Sequence, residues 1–98
     1  MDEQLCLFVT VSTDPRSVVY FAERRGYIKI GTTTNPYRRM RELKARFLLV
    51  LPGDVFLEAQ LHRRFANSRM VGEWFAPTPE LWDYIYRLRS QTDEDGAA

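Results

Sequence analysis

Cysteine is nearly missing from this chain: Cys6 is the only one among 98 residues. No disulfide can form within the chain, and no zinc site can rest on thiolates. Its setting, "LCLFV", is apolar, which reads as a buried, inert thiol and points to an intracellular protein. No apolar run reaches the roughly 18 residues of a membrane span, and the N-terminus "MDEQLCLFVTV" carries acids where a signal peptide carries bases. The expectation is a soluble, unprocessed, cytoplasmic protein with no membrane partner. Net charge is almost absent as well, at +1, which argues against strong non-specific nucleic-acid binding through bulk charge. Repeats, low-complexity segments and linkers are lacking, so residues 1–92 read as one domain, with 1–17 an N-terminal extension or extra strand and 93–98 a disordered acidic tail.

What is present suffices for one core: 45% of residues are hydrophobic and 13% aromatic, enough to exclude disorder for the bulk of the chain. The near-neutral total hides an uneven layout, with arginine and lysine crowding residues 24–69 and acids gathering at the two ends. A basic face that meets phosphate is compatible with that layout.

The run "QLCLFVTV" has strand character, and "STDPRS" breaks it. "SVVYFAE" and "YIKIG" read as two strands of a hairpin closed by "RRG". Alternation sends Ile28 and Ile30 to one face and Tyr27, Lys29 and Gly31 to the other. Asn35 followed by Pro36 is a helix start, and Tyr37, Met40 and Leu43 or Lys44 recur at helical spacing as an inward stripe. "FLLVLPG" reads as a central strand buried on both faces. Asp54 caps a second helix with Leu57, Leu61 and Phe65 facing the core, "RMVGEWF" is a short extended segment, and Thr78–Pro79 opens a third helix, "PELWDYIYRLR". The architecture is α+β: a small antiparallel sheet of about three strands flanked by helices.

Several residues could carry chemistry. Glu58 and His62 stand four apart on the second helix and share a face bordering the core stripe; the same spacing also describes a plain helix-surface contact worth a few tenths of a kcal/mol. Arg38, Arg39 and Arg41 are either solvated or phosphate-binding. Lys29 is either edge protection or an active-face cation. Tyr20 taken alone reads first as a core aromatic, and Glu73 could equally be carried along by the packing of Trp74 and Phe75. Phosphodiester cleavage needs a group that handles the nucleophile's proton, positive charge at the phosphorus, and a metal on a carboxylate, and each part has a candidate here.

Taken in order, "VVYFAERRGYIKIGTTTNPYRRMREL" resembles the defining motif of the GIY-YIG endonuclease superfamily, and "KIG", "EAQLH" and "GEWF" resemble a phage-associated branch of it. The resemblance covers Val18 to Arg89 and implies metal-dependent hydrolysis of DNA. Tyr20 would help to activate water, Arg39 would steady the scissile phosphate, and Glu58 would hold one divalent ion, Mg²⁺ or Mn²⁺ in its place. It adds His62 as a catalytic residue, with Gly31 and Glu73 in supporting places. Lys29 stands where the second motif has tyrosine, which leaves a proton acceptor, a phosphate ligand or a site that binds without cutting as its readings. Arg38, Arg41 and Arg63 are the candidate nucleic-acid grips, and a homo-oligomer or partner protein would supply sequence specificity. The competing readings are a catalytically inactive DNA-binding module and a protein-interaction or inhibitor domain. Convergence of Tyr20, Lys29, Arg39, Glu58 and His62 in one concave pocket favours the nuclease or the phosphate binder, and scatter favours the interaction domain.

Overall fold

The computed structural model describes residues 15–97, with side chains through Gln91. The N-terminal run "QLCLFVTV" and Cys6 lie outside these residues. Among the described residues, no helix is long and apolar enough to cross a membrane.

Strands β1 (Val18–Arg24) and β2 (Tyr27–Thr33) form the expected antiparallel hairpin. Helix α1 (Pro36–Leu43) follows, then β3 (Arg46–Pro52), α2 (Val55–Arg64), a 3₁₀ turn (Ala66–Ser68), β4 (Arg69–Val71), β5 (Trp74–Phe75) and α3 (Pro79–Ala97). The sheet has five strands in the order β3-β1-β2-β5-β4. Three long strands are thus extended by a short second hairpin, which "RMVGEWF" encodes in too few residues to show a period.

The helix starts fall where the local chemistry puts them. The Asn35 side chain accepts from Arg38 N at 3.1 Å, and that of Asp54 from Phe56 N at 3.0 Å, satisfying backbone donors that a first helical turn leaves open. Two expectations are corrected, and the last helix is longer than its sequence signal. Strand β3 lies at a sheet edge instead of the centre. Its apolar run serves two purposes: Leu48 and Leu49 enter the core, while Phe47 stacks on Tyr20 from the other face, with centroids 4.7 Å apart. Helix α1 buries no residue, and Tyr37 is 74% exposed, because α1 covers the polar face of the sheet and turns Arg39 toward it. Helix α3 runs on to Ala97; its apolar stripe ends near Leu88, but no proline or glycine interrupts the backbone before Gly96.

The core lies on the opposite face, where Val19, Phe21, Ile28 and Ile30 meet Leu61 and Phe65, and Leu81 and Ile85 of α3. Period-two alternation therefore sends Tyr20, Lys29 and Gly31 to the α1 side. Tyr20 sits directly across from Gly31 in the β1–β2 register. A methyl group on Gly31 would lie 2.6 Å from the Tyr20 hydroxyl oxygen and 2.7 Å from Cζ. Gly31→Ala is expected to destabilise the fold by about 1–3 kcal/mol through overpacking, measured by urea unfolding. In a Tyr20→Val background the same change should cost far less, since the two sites are coupled through one contact.

Candidate functional site

Two features of the sheet build the site. The first is alternation, which aligns Tyr20 and Lys29 on one face. The second is the shortness of β5: it pairs with Ile28 and Lys29 and goes no further, leaving the rest of the β2 edge to side chains of α2. At that edge the Ile30 carbonyl accepts from His62 Nε2 at 2.9 Å, and Thr32 Oγ1 donates to Glu58 Oε1. The Ile30 N–H goes to the Glu73 carbonyl at 3.1 Å. That bond anchors the β4–β5 turn and sets the Glu73 carboxylate 2.9 Å from Lys29 Nζ.

Tyr20, Lys29, Arg39, Glu58, His62 and Glu73 form one electrostatic cluster. The Tyr20 ring is fully buried, and its hydroxyl is the buried side-chain polar atom with no hydrogen-bond partner among the described residues. Burial pushes its ionisation up; the Lys29 and Arg39 charges and the Arg39 guanidinium's reach toward the hydroxyl, which stops short of hydrogen-bond geometry, offset part of that push, and Glu73 adds to it. Arg39 also contacts Glu42 at 3.3 Å, so α1 steadies the guanidinium that it presents to Tyr20.

Glu58 and Glu73 titrate in opposite directions. Burial raises Glu58, and the neighbouring Glu73 adds to this; the Thr32 hydrogen bond and the His62 ring oppose them. Burial alone would also raise Glu73, but the hydrogen bond and charge of Lys29, the hydrogen bond from Glu58 and the His62 ring outweigh it and hold the carboxyl low. Of the two, Glu58 is the one that holds a proton more readily, and Glu73 the one that ionises first. For His62 the geometry places one proton. A carbonyl can only accept, so Nε2 carries a proton toward Ile30 O. The ring's Nε2 also lies 3.6 Å from Glu58 Oε2, which gives His62 a positioning place on β2.

The other sequence candidates lie outside the cluster. Arg38 is exposed and paired with Glu42 at 3.6 Å, and Arg41 and Arg63 are exposed. Two contributors escape sequence reading. Nothing in "TTT" distinguishes Thr32 from its neighbours until register and α2 are known, and Phe47 is hidden within a uniformly apolar run. Among the described residues no three His, Cys, Asp or Glu side chains gather as a cation cage.

The opposed titrations have a consequence for stability. A carboxyl raised on folding destabilises when ionised, so the Glu58 penalty is full above its raised value and fades as pH falls toward the ordinary 4.5. The Glu73 contribution is favourable above the ordinary value and is lost as pH falls through its lowered one. Stability should therefore peak near the ordinary carboxylate range. Glu58→Gln, which can still donate to Glu73, should flatten the decline on the alkaline side and leave the acid side in place, as read by denaturant midpoints across pH.

Comparison with curated proteins found no match, and comparison with solved structures found none either. The family comparison did find one: the T5orf172 domain, matching residues 16–90. That family is phage-associated, related to nuclease domains and linked to nuclease or DNA-binding function. The matched span opens just before β1, takes in every element that contributes to the cluster and ends within α3, so the chain belongs to the T5orf172 domain family.

Proposed function

We propose that the cluster is the active site of a GIY-YIG-type nuclease that hydrolyses DNA phosphodiester bonds with a divalent cation. The observation that carries this reading is the buried Tyr20 hydroxyl, unpartnered and flanked by two cations. Leaving such a group unsatisfied costs about 1–3 kcal/mol, a cost that an incoming phosphate oxygen or water would relieve. Lys29 and Arg39 supply positive charge where a phosphate would sit, and the ion pair with Glu73 fits Lys29 to the role of a fixed cation.

The donor set suits a hard cation. Glu58 and Glu73 carboxylates with the Thr32 hydroxyl are oxygen ligands of the kind Mg²⁺ and Mn²⁺ take, and a cation between the two carboxyls would offset the repulsion that raises Glu58. With two carboxylates and no larger cage, most coordination positions stay open to water and phosphate, the usual situation for Mg²⁺. When bound, the cation would neutralise charge on the phosphate and its leaving oxygen. The chain's own residues do the rest: Arg39 and Lys29 hold the phosphate, Tyr20 orients the attacking water through its hydroxyl, and His62 pins α2 to β2 so that Glu58 faces the site. Water then adds to phosphorus as the bridging P–O bond breaks.

Supercoiled and branched DNA with Mg²⁺ or Mn²⁺ tests this. Nicking is expected for the wild type, with losses of about 10²-fold or more in Glu58→Ala and Arg39→Ala. Salt-sensitive binding without turnover, abolished by Arg39→Ala, would assign a binding module instead. Tyr20→Phe offers a sharper check: removing the orphan hydroxyl should raise stability by about 1 kcal/mol while lowering cleavage. A variant that is both more stable and equally active would remove Tyr20 from the mechanism.

A further inference from the structure

A second feature lies on the same sheet face. A groove of about 470 Å³ is lined by Arg24, Arg25, Tyr27, Met70, Val71 and Trp74, a size within the roughly 300–1,000 Å³ of small-ligand pockets. Tyr27 is 43% exposed, Val71 71% and Met70 55%. Neither arginine forms an ion pair among the described residues. Register joins this groove to the cluster. Arg24 pairs with Tyr27, and Trp74 pairs with Lys29. All four side chains, with Tyr20, point to the same side of the sheet. The Trp74 ring also carries Lys29 Nζ 5.6 Å from its centroid. The path from Lys29 to Tyr27 is two residues, roughly 7 Å along β2.

Arg25 adds an independent observation. It occupies the hairpin turn at φ 55°, followed by Gly26 at φ 84°, the two positive values of a type I′ turn, where asparagine or glycine sits with less strain. A side chain there gives up local stability for a guanidinium at the groove mouth.

We propose that this groove binds the unpaired bases of a single-stranded segment that adjoins the phosphate held at Tyr20, Lys29 and Arg39. The proposal rests on the phosphodiester reading above and names its substrate: nucleic acid with a single-stranded stretch beside the held phosphate, instead of continuous duplex. Tyr27 and Trp74 offer flat rings for stacking, Met70 and Val71 an apolar floor, and Arg24 and Arg25 the charge that the sugar–phosphate backbone requires. An exposed and a half-buried aromatic ring beside cations with no ion pair among the described residues fit a base-and-phosphate polymer better than they fit a protein strand, which would leave the arginines without counter-charge.

The test is fluorescence anisotropy with a labelled oligothymidylate and a duplex of equal length, without divalent metal so that nothing is cut. The intact chain should prefer the single strand. Tyr27→Ala should weaken single-strand binding by about fivefold or more, and Arg25→Asn by about threefold or more, with duplex binding little changed. Arg25→Asn should at the same time raise the melting temperature by about 2–5 °C, which separates lost binding from lost folding. In a Trp82→Phe background, Trp74 is the one remaining tryptophan, and the single strand should quench its fluorescence. Equal affinity for single strand and duplex, or single-strand binding untouched by Tyr27→Ala and Arg25→Asn, would overturn the proposal. If those variants are silent while Arg39→Ala still abolishes binding, the phosphate reading stands without the groove. If Arg39→Ala is silent too, both fall. Concentration-dependent self-association lost in Arg25→Asn, with no oligonucleotide binding, would make the groove a contact between copies of the chain and likewise overturn the proposal.

Discussion

The contact between the Tyr20 ring and the bare α-carbon of Gly31 governs the rest of the structure. Two strands can bring a tyrosine directly over a neighbouring backbone only where that backbone has no side chain, and the β1–β2 register does so at Tyr20–Gly31. A slip of one residue would move every side chain of one strand to the opposite face. A slip of β1 would send Tyr20 into the core and take Val19 and Phe21 out of it, and a slip of β2 would take Ile28 and Ile30 out. The two-residue turn at Arg25–Gly26 holds that register from one end, and the Phe47 stack holds the ring from the other strand. Core and site are thus two outcomes of a single alignment.

From that alignment the charges follow. Lys29 shares the face of Tyr20, and β5 ends just beyond Lys29, so the β2 edge is open where α2 passes. The cluster contains two carboxylates and two cations with an imidazole between elements. Burying four ions independently would be costly, and pairing reduces that cost. Lys29 meets Glu73 as an ion pair, Arg39 is steadied by Glu42 and stands near Tyr20, and burial with the neighbouring Glu73 makes Glu58 the harder carboxyl to ionise. The arrangement is satisfied except at the tyrosine hydroxyl, which sits where the positive charge is concentrated.

Much of this is legible in the sequence, for local reasons. Asn35–Pro36, Asp54 and Thr78–Pro79 announce helices because capping depends on a few adjacent residues. The alternation of "YIKIG" separates Lys29 and Gly31 from the core because a strand has period two. Other features depend on contacts distant in sequence, and there sequence reading fails. An apolar run such as "RFLLVLP" looks the same at the centre of a sheet as at an edge that packs on both sides, so the place of β3 is hidden. Helix α1 carries Tyr37 and Met40 at core spacing, yet it covers a polar face, and which face a helix covers is a tertiary fact. The coupling of Glu58 to Glu73 joins α2 to a two-residue turn, and Thr32 gains its part only when α2 arrives.

Three places depart from local self-consistency: Lys44, which closes α1 in the left-handed region, and two that lie along one surface. The buried Tyr20 hydroxyl lacks a partner, and Arg25 occupies a backbone conformation that suits asparagine or glycine. Either could be relieved by one substitution, phenylalanine at the first and asparagine at the second, with no rearrangement of the fold. Sequences otherwise consistent across levels tend to keep such departures where function needs them. Here both add polar capacity to the sheet face opposite the core, one as a hydroxyl without a hydrogen-bond partner among the described residues and the other as a guanidinium without an ion pair among them, beside exposed Tyr27. A surface shaped only for stability would have neither. A surface that receives a phosphate at one end and unpaired bases at the other has a use for both.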